Sequence, residues 1–258
     1  GLVSGLVGRW TAPAKHRQAF RVICTFHNAG YLNIPIVAAL YGPGQRYGIS
    51  ADQMLVVLFL FILGISPLMW SLGVRWLRAD ASGPATHSRR RLRQMISPPF
   101  LAHAVAVSLC LLDLPPRISP AVLQRVLAPV QWTGACTIPL MMLVLGGILA
   151  GLRPDQRLAR GSVLAAAVMR FLLLPALGLA VLMWLLERGW LSKAYAVILF
   201  LQTMMPTATG MAVAARRYGT PATSEYVGGT VFALYVASIG AIPAWLAVWG
   251  LVVGFHVP

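Results

Sequence analysis

The stretch His27–Pro35 reads HNAGYLNIP and lies inside an otherwise apolar block that runs from about Val22 to Tyr41. The block has the length of a membrane-spanning helix, which needs about 20 mostly apolar residues. Its middle holds two asparagines, a glycine and a proline, which loosen a helix and leave backbone groups unpaired. A bilayer tolerates such a break only inside protein or beside a water-filled cavity. The stretch therefore predicts an interrupted spanning helix.

A second interrupted block lies in the other half of the chain. Gln202–Gly210 reads QTMMPTATG and falls near the middle of the apolar block Tyr195–Arg216. A lone kink usually reflects packing, because Gly and Pro are common in spanning helices. Two interrupted helices in corresponding positions of two halves are instead the sequence pointer to a transporter's binding site. Two breaks that both carry amides or hydroxyls favour a site over simple kinks.

The composition of the whole chain agrees with a membrane protein. Hydrophobic residues make up 58% and charged residues only 10%, whereas soluble domains carry about 25% charged residues. The formal net charge of +15 could suggest nucleic acid. However, the basic residues sit in the gaps between apolar blocks, and no basic face interleaved with aromatics is visible. The lipid bilayer is the predicted partner, and nucleic acid is not.

The apolar blocks predict an all-α polytopic protein with about seven spans and part of another. The predicted segments are the end of a span at Gly1–Gly8, then Val22–Tyr41, Met54–Val74, Pro99–Leu114, Val122–Leu152, Val163–Leu186, Tyr195–Arg216 and Tyr226–Val253. Alternate connections hold most of the Lys and Arg, which places those connections in the cytoplasm. One of them, residues 75–97, contains the run Arg89–Arg91 with Ser82, Gly83 and Pro84. It reads as a flexible basic linker between two halves.

Enzyme signatures are missing from the sequence. There is no HExxH, GxSxG or P-loop motif, and His, Cys and carboxylates do not cluster with metal-ligand spacing. All six acidic residues fall in connections or at the ends of predicted spans, so paired carboxylates for acid–base catalysis are not visible. The sequence therefore predicts neither an enzyme nor a bound cofactor or metal.

The interrupted stretches also carry a resemblance to a known family. Asn28–Pro35, followed by Leu40-Tyr41-Gly42, resembles the crossover helix of the auxin efflux carrier (PIN-like) family, and so does Gln202–Thr209 with Tyr218-Gly219 downstream. The segment Thr137–Gly146 is similar to a helix of that family's second half. The similarity runs from about Val22 to Leu251. The resemblance is to bacterial-type members.

The resemblance implies ten helices in two inverted five-helix repeats, related to bile-acid symporters and NhaA-like antiporters. Residues 1–74 would be the remainder of the first repeat, 75–97 the cytoplasmic linker and 98–253 the second repeat. The first helices would then be missing before Gly1. The two crossover helices would cross at Pro35 and Pro206, with Gly30 beside them, and a transport domain would move like an elevator. A homodimer in a bacterial inner membrane is a further expectation.

The site residues predicted from the sequence and the resemblance are polar residues of the two breaks. The amides of Asn28, Asn33 and Gln202 are expected to bind the substrate, together with the hydroxyls of Thr207 and Thr209. His27 either titrates beside the site or packs between helices, and Gln131 and Thr137 either border the cavity or bond to neighbouring helices. Arg170 could meet an anion, but its distance from the start of its span favours snorkelling to the interface.

The predicted function is secondary transport of a small organic anion, in the direction of efflux. The resemblance implies substrates such as malonate, malate or indole-acetate. Proton and sodium antiporters of the related fold use membrane-embedded carboxylates, and none is predicted here, so uncoupled flux is expected. The alternatives are a sodium-coupled symporter of the bile-acid type, a receptor or assembly subunit without transport, and an inert fragment.

Overall fold

The computed structural model describes residues 16–41, 49–82, 98–113, 117–136 and 160–254, with isolated residues at 8, 12, 139–140, 143, 146–147 and 150. Helices dominate these residues, and no strand occurs among them. In chain order the helices are α1 (Arg17–Thr25), α2 (Asn33–Leu40), α3 (Ala51–Leu68, continued by Met69–Gly73 and Val74–Ser82), α4 (Pro98–Leu111), α5 (Pro120–Ala135), α6 (Arg160–Val168, continued by Met169–Leu173 and Leu174–Glu187), α7 (Lys193–Met204), α8 (Thr209–Tyr218) and α9 (Pro221–Trp249, continued by Gly250–Gly254). The predicted all-α class is confirmed.

Three of these helices are long and apolar enough to cross a bilayer. They are Ala51–Ala79 within α3, Arg160–Glu187 and Pro221–Gly254. Each exceeds the length of about 20 residues that the hydrocarbon core requires. The helix α7 is apolar but shorter, because its span is broken after Met204 and resumes in α8. The chain is thus an integral membrane protein whose long helices surround two broken ones.

Two apolar clusters hold the helices together. One is built from α1, the end of α3, the first half of α6, α8 and the first half of α9, and it includes Phe20, Met211 and Leu234. The other is built from α2, the beginning of α3, the end of α6, α7 and the end of α9. The first half of each broken pair therefore packs with the second half of the other pair. The two breaks lie between the clusters.

Basic residues that the sequence assigns to the cytoplasmic side come together at one end of the bundle. Arg21 of α1 stacks on the ring of Trp76 with 4.7 Å to the ring centroid, and Arg78 stacks on Tyr218 of α8 at 4.6 Å. These residues come from three separate basic segments of the sequence. Their meeting supports the alternation of basic and neutral connections on which the orientation rests.

The helix α3 extends further than the sequence suggests. It continues through a π-helical segment, Met69–Gly73, and on to Ser82, into the stretch interpreted as a flexible linker from residue 75. The side chains of Val74 and Leu77 are buried in the first apolar cluster, which holds this extension in helical form. Residues 83–97 lie outside the described part of the chain. So does part of the predicted span Val122–Leu152, of which α5 is the described beginning.

Candidate functional site

The two broken helices meet through their backbones. His27 and Thr207 form an isolated antiparallel β-bridge. On one side of it the Asn28 N–H donates to the Pro206 carbonyl at 2.7 Å, and on the other the Ala208 N–H donates to the Phe26 carbonyl at 3.1 Å. Backbone groups freed where each helix breaks are thereby satisfied without water, as a position inside a bilayer requires. We call this meeting point the crossing.

Local sequence explains why the breaks fall where they do. Met205 precedes a proline, which disfavours the helical region for it, and it is extended at φ −72° and ψ 142°. In the other segment, α1 ends before Phe26, which is extended at φ −99° and ψ 111°. Gly30 lies in the turn that follows, where a β-carbon would stand 3.3 Å from Ile62 Cδ1. A larger residue at Gly30 would press on α3.

The side chains of Asn33 and Gln202 join the two broken segments at the crossing. Asn33 Nδ2 donates to Gln202 Oε1 at 3.1 Å and also to the carbonyls of Asn28 and Ala29. His27 Nε2 approaches the same Gln202 oxygen at 3.0 Å. Asn33 is 0% and Gln202 4% exposed. Gln202 Oε1 therefore accepts hydrogen bonds from residues on both sides of the first break.

This network leaves two buried polar atoms without a hydrogen-bond partner. They are Asn33 Oδ1, an acceptor, and Gln202 Nε2, a donor. A buried polar atom that lacks a hydrogen bond costs about 1–3 kcal/mol of stability. Such atoms in a native site therefore call for an explanation. A substrate that can accept from Gln202 and that also presents a donor to Asn33 would satisfy both.

A second polar link runs from the first break to α9. The buried Asn28 donates through Nδ2 to the hydroxyl of Tyr235, and the Thr209 side chain lies beside the same hydroxyl. Tyr235 is therefore hydrogen-bonded to the first break and lies next to Thr209 of the second, whose own hydroxyl is buried without a hydrogen-bond partner. The sequence reading missed it, because Tyr235 lies in a long apolar span with no local irregularity. Tyr235 lies one helical turn from Val231 and from Ser238, which are both on the buried face of α9. This spacing is the only feature of the sequence that indicates that Tyr235 faces inward.

The carbonyl of Ile23, near the end of α1, is a third polar point. The buried Thr207 hydroxyl donates to it at 2.7 Å. Arg170 donates to the same oxygen through Nε at 3.3 Å and Nη2 at 3.1 Å. Arg170 is only 1% exposed, so the expectation that it snorkels to the interface is wrong. Its guanidinium turns inward because an acceptor is available at the end of a broken helix.

The remaining predicted residues lie elsewhere. Pro35 is an exposed residue in the first turn of α2, beyond the backbone bridge at which Pro206 takes part. Gln131 is exposed on α5, which makes no extensive contact with the broken helices. Thr137 lies outside the described residues. The structure therefore groups Asn28, Asn33, Gln202, Thr207 and Thr209 with His27, and leaves Pro35 and Gln131 apart.

Two helix N-termini lie at the crossing. The helix α2 begins at Asn33 and α8 at Thr209, and neither has a side-chain cap on its first turn. Part of each first turn is already satisfied by the backbone, since the Ile34 N–H donates to the Gly30 carbonyl and the Met211 N–H donates to the Ala208 carbonyl. The dipole of each helix still attracts negative charge to its N-terminus. In both cases the N-terminus lies next to a buried polar residue of the network, which distinguishes it from an ordinary helix start.

Two π-helical segments flank the same region. Met69–Gly73 of α3 brings Trp70 to the start of α8, where the ring would lie 3.6 Å from a β-carbon at Gly210. Met169–Leu173 of α6 carries Arg170. Single π-helical turns occur frequently at functional sites. Both segments are followed or preceded closely by a proline, Pro67 or Pro175, which is a sequence signal for a helix irregularity.

Long apolar helices enclosing two broken helices that bond through their backbones define a polytopic membrane transporter architecture. A family described as "Membrane transport protein" matches residues 2–246. The chain therefore belongs to this family, which is the auxin efflux carrier family that its two interrupted segments resemble. A search of curated proteins gave no significant match, and a search of solved structures gave none either.

Proposed function

We propose that the protein is a secondary transporter that carries a small organic anion through the crossing. The observation that carries the proposal is the buried pair Asn33 and Gln202, which joins the two broken helices and leaves one acceptor and one donor without a partner. A kink that served packing alone would have no reason to bury polar atoms in this state. A substrate that binds and leaves would explain why polar side chains are buried here and why two of their atoms lack hydrogen bonds.

The charges around the crossing favour an anion as the substrate. The positive dipole ends of α2 and α8 lie at the crossing without a side-chain cap, and Arg170 is buried behind the end of α1. Among the described residues no carboxylate takes part in the network around Asn33, Gln202 and Asn28. A carboxylate substrate would accept from Gln202 Nε2 and from the helix N-termini. A hydroxyl or a protonated carboxyl on the same substrate would donate to Asn33 Oδ1.

The backbone bridge supports movement of the two broken helices as one body. Hydrogen bonds from Asn28 to Pro206 and from Ala208 to Phe26 tie the segments together, so their relative motion would break buried backbone bonds. An elevator-type mechanism, in which this pair slides against a fixed scaffold, fits that constraint. The exposed helices α4 and α5 are then candidates for the scaffold side.

The direction we propose is export. An inside-negative potential favours exit of an anion by about 2.3 kcal/mol per charge per 100 mV. With the proposed anionic substrate, the anion's own gradient and the potential together would suffice to drive flux. A bacterial inner membrane with the basic end of the bundle in the cytoplasm is the setting this implies.

The test is counterflow in liposomes that hold the purified protein. Labelled malonate, malate and indole-acetate would be tried in turn, with wild type, Gln202→Ala and Thr203→Val. Thr203 is the matched control, since it is the next residue and its hydroxyl bonds within its own helix to the Phe200 carbonyl. We expect saturable exchange of one acid that is lost in Gln202→Ala and retained in Thr203→Val.

Other results would redirect the proposal. Exchange that survives Gln202→Ala would keep a carrier but remove the crossing as its site. Uptake that requires a sodium gradient would favour a symporter of the bile-acid type. A folded wild-type protein that exchanges none of the acids would contradict the proposal and favour a receptor or assembly subunit.

A further inference from the structure

Arg170 is a buried cation that the proposed substrate network does not include. It lies on the π-helical segment of α6, and its Nε and Nη2 both donate to the Ile23 carbonyl in the last turn of α1. The same carbonyl accepts from the Thr207 hydroxyl. Arg170 therefore contacts the first broken helix, α1, at its carboxyl end. Thr207 of the second broken segment bonds to α1 at the same point.

Four helix ends meet around the crossing, and they differ in sign. The helices α2 and α8 contribute N-termini, whereas α1 and α7 contribute C-termini. A helix C-terminus carries about half a negative elementary charge, which repels an anion. The last turns of α1 and α7 contain no basic residue of their own. Without another charge, the carbonyl ends would cancel the attraction of the two N-termini.

The guanidinium of Arg170 changes this balance. Arginine keeps its proton in proteins, and here it lies directly on the carbonyl end of α1. Among the described residues no carboxylate lies within salt-bridge distance of Arg170, whose ionisable neighbours are Cys24 and His27 of the α1 segment. A buried charge at membrane depth is costly, and where it persists it marks a functional site.

Neighbouring residues fix Arg170 in its position. Pro175 has no N–H to donate to the carbonyl four residues earlier, that of Phe171, and Trp245 Nε1 of α9 donates to that carbonyl at 2.6 Å. The indole of Trp245 therefore supplies the hydrogen bond that the backbone of the π-helical turn around Arg170 lacks. The segment of α6 that carries Arg170 is therefore held by α9 as well as by the bond to the first broken helix.

Resting on the proposed function, we propose that Arg170 is an electrostatic positioning residue for the substrate. Its charge offsets the carbonyl end of α1, so that the positive ends of α2 and α8 dominate the crossing and select a small organic anion. The role depends on charge, and a hydrogen bond to Ile23 alone does not replace it.

The test compares Arg170→Gln with Arg170→Lys. Glutamine can still donate to the Ile23 carbonyl but carries no charge, whereas lysine keeps a donor and the charge. KM and maximal rate would be measured separately, by liposome counterflow of whichever of malonate, malate and indole-acetate the wild type exchanges. We expect Arg170→Gln to raise KM by about tenfold or more, and Arg170→Lys to stay near the wild-type KM at a pH low enough to keep the lysine protonated.

The lysine variant also provides a test if the glutamine variant does not fold. A lysine at this position can lose its proton as the pH rises, whereas arginine cannot. A buried lysine loses its proton at a lower pH than an exposed one. The KM of Arg170→Lys, relative to that of the wild type, should therefore rise several-fold between about pH 5.5 and about pH 10.5. The wild type measured over the same range controls for Cys24, His27 and the substrate.

The outcomes separate the two proposals. Equal KM values for wild type and Arg170→Gln would overturn the role of Arg170 and leave the transporter intact. A lysine variant whose KM keeps a constant ratio to the wild-type KM from about pH 5.5 to about pH 10.5 would also overturn it. A wild type that exchanges none of the acids would overturn the proposed function, and this inference with it.

Discussion

Asn33 and Gln202 stand 169 residues apart in the chain and share a hydrogen bond of 3.1 Å at the place where two broken helices meet. Each belongs to a segment that cannot complete its own helix, so each segment depends on the other for its polar partners. The bond therefore links the folding of the two halves to the construction of the site.

The double replacement of Asn33 and Gln202 should be less damaging than the single changes suggest. Removing one amide leaves polar atoms of the other without a hydrogen bond, which lowers the free energy of unfolding by about 1–3 kcal/mol. Removing both amides leaves fewer unpaired atoms. Thermal unfolding in detergent of Asn33→Leu, Gln202→Leu and the double variant would form a double-mutant cycle. Strictly additive losses would show that the two side chains do not act as a pair.

Tyr235→Phe should weaken substrate binding while the protein stays folded. The change removes only the hydroxyl that accepts from Asn28, so Asn28 loses its orientation and the ring keeps its packing. One neutral hydrogen bond contributes about 0.5–1.5 kcal/mol, which corresponds to a rise in KM of about two- to tenfold in counterflow. Tyr195→Phe is a control, because Tyr195 is exposed on α7. An equal KM in both variants would argue against a role for Tyr235.

Thr207→Val should lower stability modestly. The Thr207 hydroxyl bonds to the Ile23 carbonyl at 2.7 Å, but Arg170 remains bonded to the same oxygen. Side-chain hydrogen bonds inside membrane proteins average about 0.6 kcal/mol, with a maximum near 1.7 kcal/mol. Unfolding measurements should show a loss within that range. A loss well above it would mean that Thr207 supports the bridge in another way.

Gly178→Ala should destabilise the contact between α6 and α7, and a change in the partner should restore it. A β-carbon at Gly178 would lie 2.6 Å from Thr203 Cγ2, closer than packed carbons can approach, and overpacking of this kind costs about 1–3 kcal/mol. The double variant Gly178→Ala with Thr203→Ala frees that space and should unfold nearer the wild-type temperature. Gly64→Ala is the control, since a β-carbon there meets nothing within 4 Å.

Flux should be indifferent to imposed pH and sodium gradients. The crossing is built from amides, hydroxyls and His27, with Arg170 behind it, and coupled carriers of the related fold rely on embedded carboxylates. A membrane potential set with potassium and valinomycin should change net flux instead. Stimulation by an inward sodium gradient at zero potential would contradict uncoupled transport.

The sequence was sufficient for features that depend on neighbours along the chain. Apolar length predicted the three long spanning helices of the described residues. Gly30, Pro206 and the amides around them predicted both breaks, because a bilayer forbids irregular backbone without internal partners. The polar residues Asn28, Asn33 and Gln202 were predicted at the breaks for the same reason, and the structure brings them together at the crossing. The family was recognised from these same two stretches.

Features that depend on how segments pack could not be derived in this way. The bridge pairs His27 with Thr207, and a single sequence contains no rule for the register between segments 180 residues apart. The burial of Arg170 depends on the Ile23 carbonyl, which becomes an acceptor only once α1 ends beside α6. Tyr235 looked like an ordinary aromatic residue of a span, and Gln131 looked inward-facing only because it is polar.

The central claim is that the substrate occupies the crossing, and cysteine protection tests it most directly. His27→Cys, in a protein with Cys24, Cys110 and Cys136 replaced by alanine, places a thiol at a half-buried position of the crossing, beside Gln202. Gln53→Cys, exposed at the start of α3, is the control. The account predicts that the transported acid slows alkylation at position 27, with half-maximal protection near the KM of that variant, and leaves alkylation at position 53 unchanged. Equal alkylation at position 27 with and without a saturating transported acid would contradict it.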